Sequence, residues 1–290
     1  MAPGADAEPG PPGPRSVVDL VAAGILDVEL AALLWLLVEA RLPLLVAGPR
    51  GAGRSTLLGV LTDFLPAGTR RRTVGGADEA FAWLPGAVEL GWPGGGAAPA
   101  DRPERAGPAA TYLLCPELAP DVPDGAWGLR ARVLVRALQL GYGLGTTIEA
   151  LSLAEVFARL APPPVELSVD ELRRLSVVLV LRADDAGRRR VAAAHYLRPL
   201  ERDGAGHVQR RPPAVLATWD PARETFDHFG WGVIPELAAR VGRPAVGFER
   251  EQADRARFLR ALVSEGLTEP SAVRSAIAGY RAGFVAIHRH

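Results

Sequence analysis

The chain has 290 residues, 48% of them hydrophobic, enough to bury a sizeable core in one large domain or a domain with an appendage, which excludes disorder throughout. Its 33 basic and 33 acidic residues cancel, so no global field draws it to nucleic acid or to an anionic membrane. All the basic residues are arginine, lysine and asparagine are absent, and the one cysteine, Cys115, excludes an intrachain disulfide.

Met1 to Arg15 is rich in Pro and Gly and has no apolar segment of the signal-peptide kind, so residues 1–16 are expected to be a disordered tail. Val17 to Ala23 predicts a short helix ending at Gly24, and Asp27 caps a second helix carrying Leu30, Leu33, Leu34, Leu37 and Val38 on a helical period. The longest apolar run, Ala31 to Val38, falls well short of the roughly 18 residues of a membrane helix. No direct membrane span is expected, and with no Cys/His spacing of a zinc site, a reducing, cytoplasmic setting fits.

The second helix feeds the stretch on which the chain turns. Leu42 to Ala47 is an apolar strand, Gly48-Pro49-Arg50-Gly51-Ala52-Gly53 a glycine-rich turn, and Arg54-Ser55-Thr56-Leu57-Leu58 the opening of a helix. Gly48, four residues, Gly53, then Arg54 and Ser55 is the spacing of a phosphate-binding loop with arginine in the lysine place. Gly51 and Gly53 permit the torsions that turn successive N–H groups toward phosphate oxygens, and the helix that follows adds its positive end. Residues 48–56 are therefore the candidate nucleotide site, with the Ser55 hydroxyl as a magnesium ligand; ATP and Mg2+ are the expected cofactors. Arg54 is not a neutral replacement, because a guanidinium is planar and bulkier than an ammonium. A strand-to-helix turn that only resembles the motif is the alternative.

Beyond the loop, Leu57, Leu58, Leu61 and Leu65 continue a helix that Pro66-Ala67-Gly68 stops, and Arg70 to Val74 predicts a strand. Gly91 to Ala110 has the composition of an extended loop, and Ala110 to Cys115 is again an apolar strand, followed by Pro116 and Glu117. An acid at the end of a buried strand beside such a loop is where metal-linked or water-orienting carboxylates sit; an ordinary loop carboxylate is the other reading of Glu117. Trp127 to Leu140 predicts a helix and Gly141 to Ala150 a glycine turn running into a strand. Ser152 with Glu155, and Ser168 with Glu171, have capping-box spacing. Val177 to Leu181 predicts a strand buried on both faces, Arg190 to Leu197 and Ala214 to Thr218 an antiparallel hairpin around the polar turn Glu201 to Gly206. Beyond Asp220 the pattern is helical, with Phe258, Leu259, Leu262 and Val263 on one face and Val273, Ile277 and Tyr280 on another. The expected fold is α/β, a mostly parallel sheet flanked by helices with a terminal hairpin, divided into a 17–219 core and a 220–290 helical appendage.

From Val17 to about Tyr280 this order resembles the motor ATPases of type II and type IV secretion and type IV pilus assembly, and "LLWLLVEARLPLLVAGPRGAGRSTLL" is similar to their helix, strand and Walker A segment. The resemblance implies a RecA-like P-loop NTPase fold, a hexameric or other homo- or hetero-oligomeric ring, secretion or pilus membrane proteins as partners and a place at the inner face of a membrane. It also makes Glu117 the Walker B and catalytic carboxylate. Other family positions depart: the acidic box falls on Gly75 and Gly76 with Glu79 still charged, and the two histidines of the His box fall on Tyr142 and Glu149. Slow or absent hydrolysis, or a purely structural or regulatory subunit, is the expectation. No nucleic acid is expected, because Arg70-Arg71-Arg72 and Arg188-Arg189-Arg190 are runs of the kind that form solvated faces.

Overall fold

In the computed structural model, residues 15–94, 107–184, 187–202, 204 and 206–287 are described. The expectation for the tail falls almost wholly outside them, as does that for residues 95–106 of the predicted loop. Among the described residues no helix is long and apolar enough to cross a membrane.

Helix α1 (Val17–Ala22) opens on a reciprocal cap between Ser16 and Asp19, and Gly24 turns the chain after it at φ +64°. Helix α2 (Val28–Glu39) starts on Asp27, whose carboxylate accepts the Leu30 N–H at 2.8 Å. Leu30 to Val38 are buried without exception, which makes α2 an interior helix, apolar all round. It leads into strand β1 (Leu44–Gly48), the glycine-rich turn and helix α3 (Arg54–Leu61).

Strands β2 (Arg70–Thr73), β3 (Thr111–Cys115), β4 (Gly143–Glu149) and β5 (Val177–Ala183) run parallel with β1, while β6 (Arg189–Tyr196), β9 (Ala214–Asp220) and β10 (Thr225–His228) extend the sheet antiparallel. The order across the eight strands is β10-β9-β6-β5-β1-β4-β3-β2. Between β6 and β9 a small ribbon, β7 (Glu201–Arg202) with β8 (Val208–Gln209), forms the expected hairpin's tip. Alternation assigns the central strands to two cores: Leu44 and Val46 with Val177, Leu179 and Leu181 face one, Leu45 and Ala47 with Val178 and Val180 the other. The second core is closed by α4 (Leu129–Ala137), α5 (Leu153–Leu160) and α6 (Val169–Leu172).

Two local details differ from expectation. The chain is not yet helical beyond Asp220, because its carboxylate accepts the Ala222 N–H and returns the chain as β10, where Phe226 packs edge-on against Trp219 at 5.0 Å. Only half of the first capping box forms: Ser152 accepts the Glu155 N–H, but the Glu155 carboxylate takes the Leu151 N–H at 2.7 Å. Ser168 and Glu171 make the full box.

Helices α7 (Ile234–Arg240), α8 (Ala245–Ser264) and α9 (Pro270–Ile287) complete the chain, and Phe248, Leu259, Leu262, Val273 and Ile277 join the same core as α1, α2 and α3. Trp35 of α2 is the centre of that junction, stacked on Phe64 at 5.1 Å with the Arg255 guanidinium 4.8 Å from its ring. The α2 helix that delivers the chain to β1 is thereby fixed from its far side.

Candidate phosphate-binding site

At the C-terminal end of β1 the chain makes the turn that the glycine spacing predicts. Gly51 has φ +78° and Gly53, the residue before α3, φ +89°, torsions that strain any residue with a Cβ. The Ala52 N–H closes onto the Pro49 carbonyl at 3.2 Å, and the Leu57 N–H returns to Gly53 at 2.9 Å. The first-turn N–H groups of Arg54, Ser55 and Thr56 have no carbonyl one turn earlier in the helix, and the Ser55 and Thr56 residues are exposed. Free N–H groups at a helix end after a glycine turn are chemically suited to an anion.

Arg54 does not extend into solvent. It is 8% exposed, and its guanidinium pairs with Glu117 at 2.8 Å; its buried Nη1 has no hydrogen-bond partner among the described residues. Glu117 is itself held on both sides by backbone. The Thr147 hydroxyl donates to the Pro116 carbonyl at 2.8 Å, the Leu118 N–H to the Thr147 carbonyl at 2.7 Å, and the Ala126 N–H to the Glu117 carbonyl at 2.9 Å. These bonds tie the end of β3 to β4 and aim Glu117 across the end of β4 at the loop.

Two further arginines flank it. Arg50, exposed in the turn, donates from Nε to Glu149, the last residue of β4, at 2.8 Å. That bond holds the Glu149 carboxyl below its ordinary range and raises the Arg50 guanidinium above its own. Arg189 of β6 lies over the loop, its guanidinium 3.4 Å from the point a Cβ on Gly53 would occupy, and makes no ion pair among the described residues. Nothing in the sequence singled out Arg189 within its run of three arginines; only the β5–β6 pairing puts it beside the loop. Its neighbours are engaged elsewhere: Arg188 pairs with Asp184 and Glu224, and Arg190 donates to the Ala23 carbonyl.

The other residues that the sequence resemblance singled out are committed to structure. A Cβ on Gly75, at φ +135°, would lie 2.4 Å from the Asp124 carbonyl oxygen, and the Gly76 N–H donates to Gly125 at 2.8 Å. Neither carries an acid toward the loop. Glu79 accepts from the Phe81 N–H and the Trp83 indole within its own turn. Tyr142 precedes β4, at the opposite end of that strand from Glu149, and packs edge-on to Trp83 at 5.7 Å. Arg71 donates to the Thr62 carbonyl, and Arg72 covers Trp83 at 4.5 Å.

The donor set beside Ser55 does not fit a resident magnesium ion, because the acid that would face it, Glu117, is held by Arg54. Among the described residues the carboxylates and imidazole close enough to share an ion are Asp27, Glu29 and His228, which meet at the β10 edge of the sheet.

No family model matches the chain. Uncharacterized protein MJ1287 of Methanocaldococcus jannaschii is 26% identical over 266 residues, which span 84% of this chain and 90% of that one. Among solved structures, the VirB11 ATPase of the Brucella suis type IV secretion system in complex with sulphate is similar at 22% identity and a TM-score of 0.40, over 62% of this chain. The matched region is 54% of the VirB11 chain, so this protein spans about half the length of that structure.

Proposed function

We propose that this protein is a P-loop nucleotide-binding protein of the secretion and pilus ATPase type that binds ATP weakly and hydrolyses it slowly or not at all. The observation that carries the proposal is the glycine-framed turn of residues 48–53, which leads into a helix whose first-turn N–H groups, Arg54 to Thr56, have no helical partner and whose first residue carries a buried guanidinium. The phosphates rest on those N–H groups, with Arg50, Arg54 and Arg189 as the cations around them.

Hydrolysis is slow because phosphoryl transfer depends on positioned charge. Each lost stabilising group costs on the order of 10²–10³ in rate. Here Glu117 is neutralised by Arg54, and no acid stands at Gly75 or Gly76. The close contact of Gly75 with Asp124 also favours a second reading, a catalytically inactive structural or regulatory subunit, since an acidic side chain has no room there. In either case the chain acts by assembly, in a homo- or hetero-oligomeric ring with secretion or pilus proteins at the cytoplasmic face of a membrane.

Calorimetry of ATP binding to the wild type and to Gly53→Val tests the site, and steady-state ATPase assays with and without pilus or secretion subunits test the activity. Equal affinity in the two proteins would remove the site. Turnover near the enzyme median of about 10 per second would remove the claim of slow hydrolysis.

A further inference from the structure

We infer that the phosphate site is built to take the polyphosphate of a nucleotide without a divalent cation, with the Arg54 guanidinium standing where the metal's charge would be needed and Glu117 serving as its resident counter-ion. The inference rests on the nucleotide-binding function proposed above and adds what neutralises the ligand.

Charge and geometry lead to it. A nucleoside triphosphate brings three to four negative charges, and a site with a lysine and a magnesium ion divides the compensation between them. Lysine is a compact point charge, whereas arginine offers a planar fork of donors that matches two phosphate oxygens at once. Arg54 is the first residue of α3, so its side chain starts from the helix end whose first-turn N–H groups are free. With Nη2 on Glu117 and Nη1 buried without an acceptor, it holds donor capacity that the described protein groups do not use. Arg50 and Arg189 bring two more guanidinium groups to the rim, against the carboxylates Glu117 and Glu149.

A cation at Ser55 would meet the opposite conditions. It would stand beside a guanidinium attached to the neighbouring residue, and the carboxylate that would offset it is already paired. Binding of the polyphosphate therefore competes with Glu117 for Arg54, not with water for a metal. Two consequences are specific to this arrangement: affinity is indifferent to magnesium, and Glu117 opposes binding instead of supporting it.

The test is calorimetric titration of the full chain with ATP, once in magnesium and once in excess EDTA, for the wild type, Glu117→Gln and Arg54→Lys, with circular dichroism to establish that each variant is folded. Wild-type affinity is expected to agree within about threefold between the two buffers. Glu117→Gln, which keeps the shape and removes the charge, should bind at least threefold more tightly in EDTA than the wild type. Arg54→Lys should bind at least tenfold more weakly in EDTA than in magnesium. Wild-type binding that weakens tenfold or more in EDTA would overturn the inference while leaving the nucleotide-binding function intact. Unchanged or weaker binding by folded Glu117→Gln would overturn the counter-ion role. Absence of binding in both buffers would overturn the function itself, and this inference with it. The wild-type comparison stands even if a variant fails to fold.

Discussion

The Asp27 carboxylate that caps α2 also lies 2.7 Å from Nε2 of His228, a residue 201 positions further along the chain. One side chain thus joins the helix that leads to β1 and the glycine-rich turn to the edge strand β10. The bond to Asp27 is the main influence on the imidazole and raises it above its ordinary value, against the opposing effect of burial; Glu29 and Asp227 add to the rise. Because the folded value lies above the unfolded one, the pair's contribution to stability is fully present below about pH 6.5 and is lost as pH rises through the raised value. Urea midpoints measured from pH 5.5 to 8.5 should therefore fall more on the alkaline side for the wild type than for His228→Gln. Parallel curves would show that the pair contributes nothing.

Arg255 is 3% exposed and pairs with Glu39 and, at 3.4 Å, with Glu251 while covering Trp35. Arg255→Ala should cost more than about 1 kcal/mol, since it removes the cover over Trp35 and one of two guanidinium partners from each carboxylate, Glu39 keeping Arg281 and Glu251 keeping Arg243. Arg159→Ala, which breaks an exposed pair with Glu155 on α5, should change stability by less than about 0.5 kcal/mol. Equal losses in the two variants, read from urea unfolding, would mean that burial does not govern these pairs.

Two glycines should respond in opposite directions. Gly59, inside α3 with open space around its Cβ position, should gain about 0.5–1 kcal/mol on replacement by alanine. Gly75→Asp, the change that would restore part of an acidic box, should lower the melting temperature markedly and fail to raise ATPase activity, because its Cβ meets the Asp124 carbonyl. A well-folded Gly75→Asp protein with faster turnover would contradict this account of the site.

Cys115 lies at the end of β3, two residues before Glu117, and burial pushes its thiol up to about 11. An aromatic disulfide reagent at pH 8 should leave the native protein unlabelled and modify one thiol per chain in denaturant. Fast labelling of the native protein would show that the end of β3 opens readily.

The β1–loop–α3 unit was legible in the sequence because each of its signals is local: an apolar strand, glycines where torsions demand them, and leucines on a helical period. Val178 was equally plain as a member of a strand buried on both faces. What the sequence hid depends on residues meeting across the sheet. Arg54 could be placed at the helix start, but its partner Glu117 lies beyond two intervening segments, and no spacing rule connects them. Arg189 was invisible as one of three consecutive arginines. Strand β10 was missed because Thr225-Phe226-Asp227-His228 has too little apolar character to announce a strand; pairing with β9 supplies what its own residues lack.

The two borders of the main sheet bear on how copies of this protein can associate. One is β2, four residues including Arg70, Arg71 and Arg72; the other is β10, also four residues, with Asp227 and His228. Short, charged border strands are poor templates for adding another strand. Both ends therefore disfavour growth by extending the sheet from one molecule to the next. An assembly of this chain is then better joined through side chains on helices and loops, so that its subunits separate without unpicking a backbone ladder.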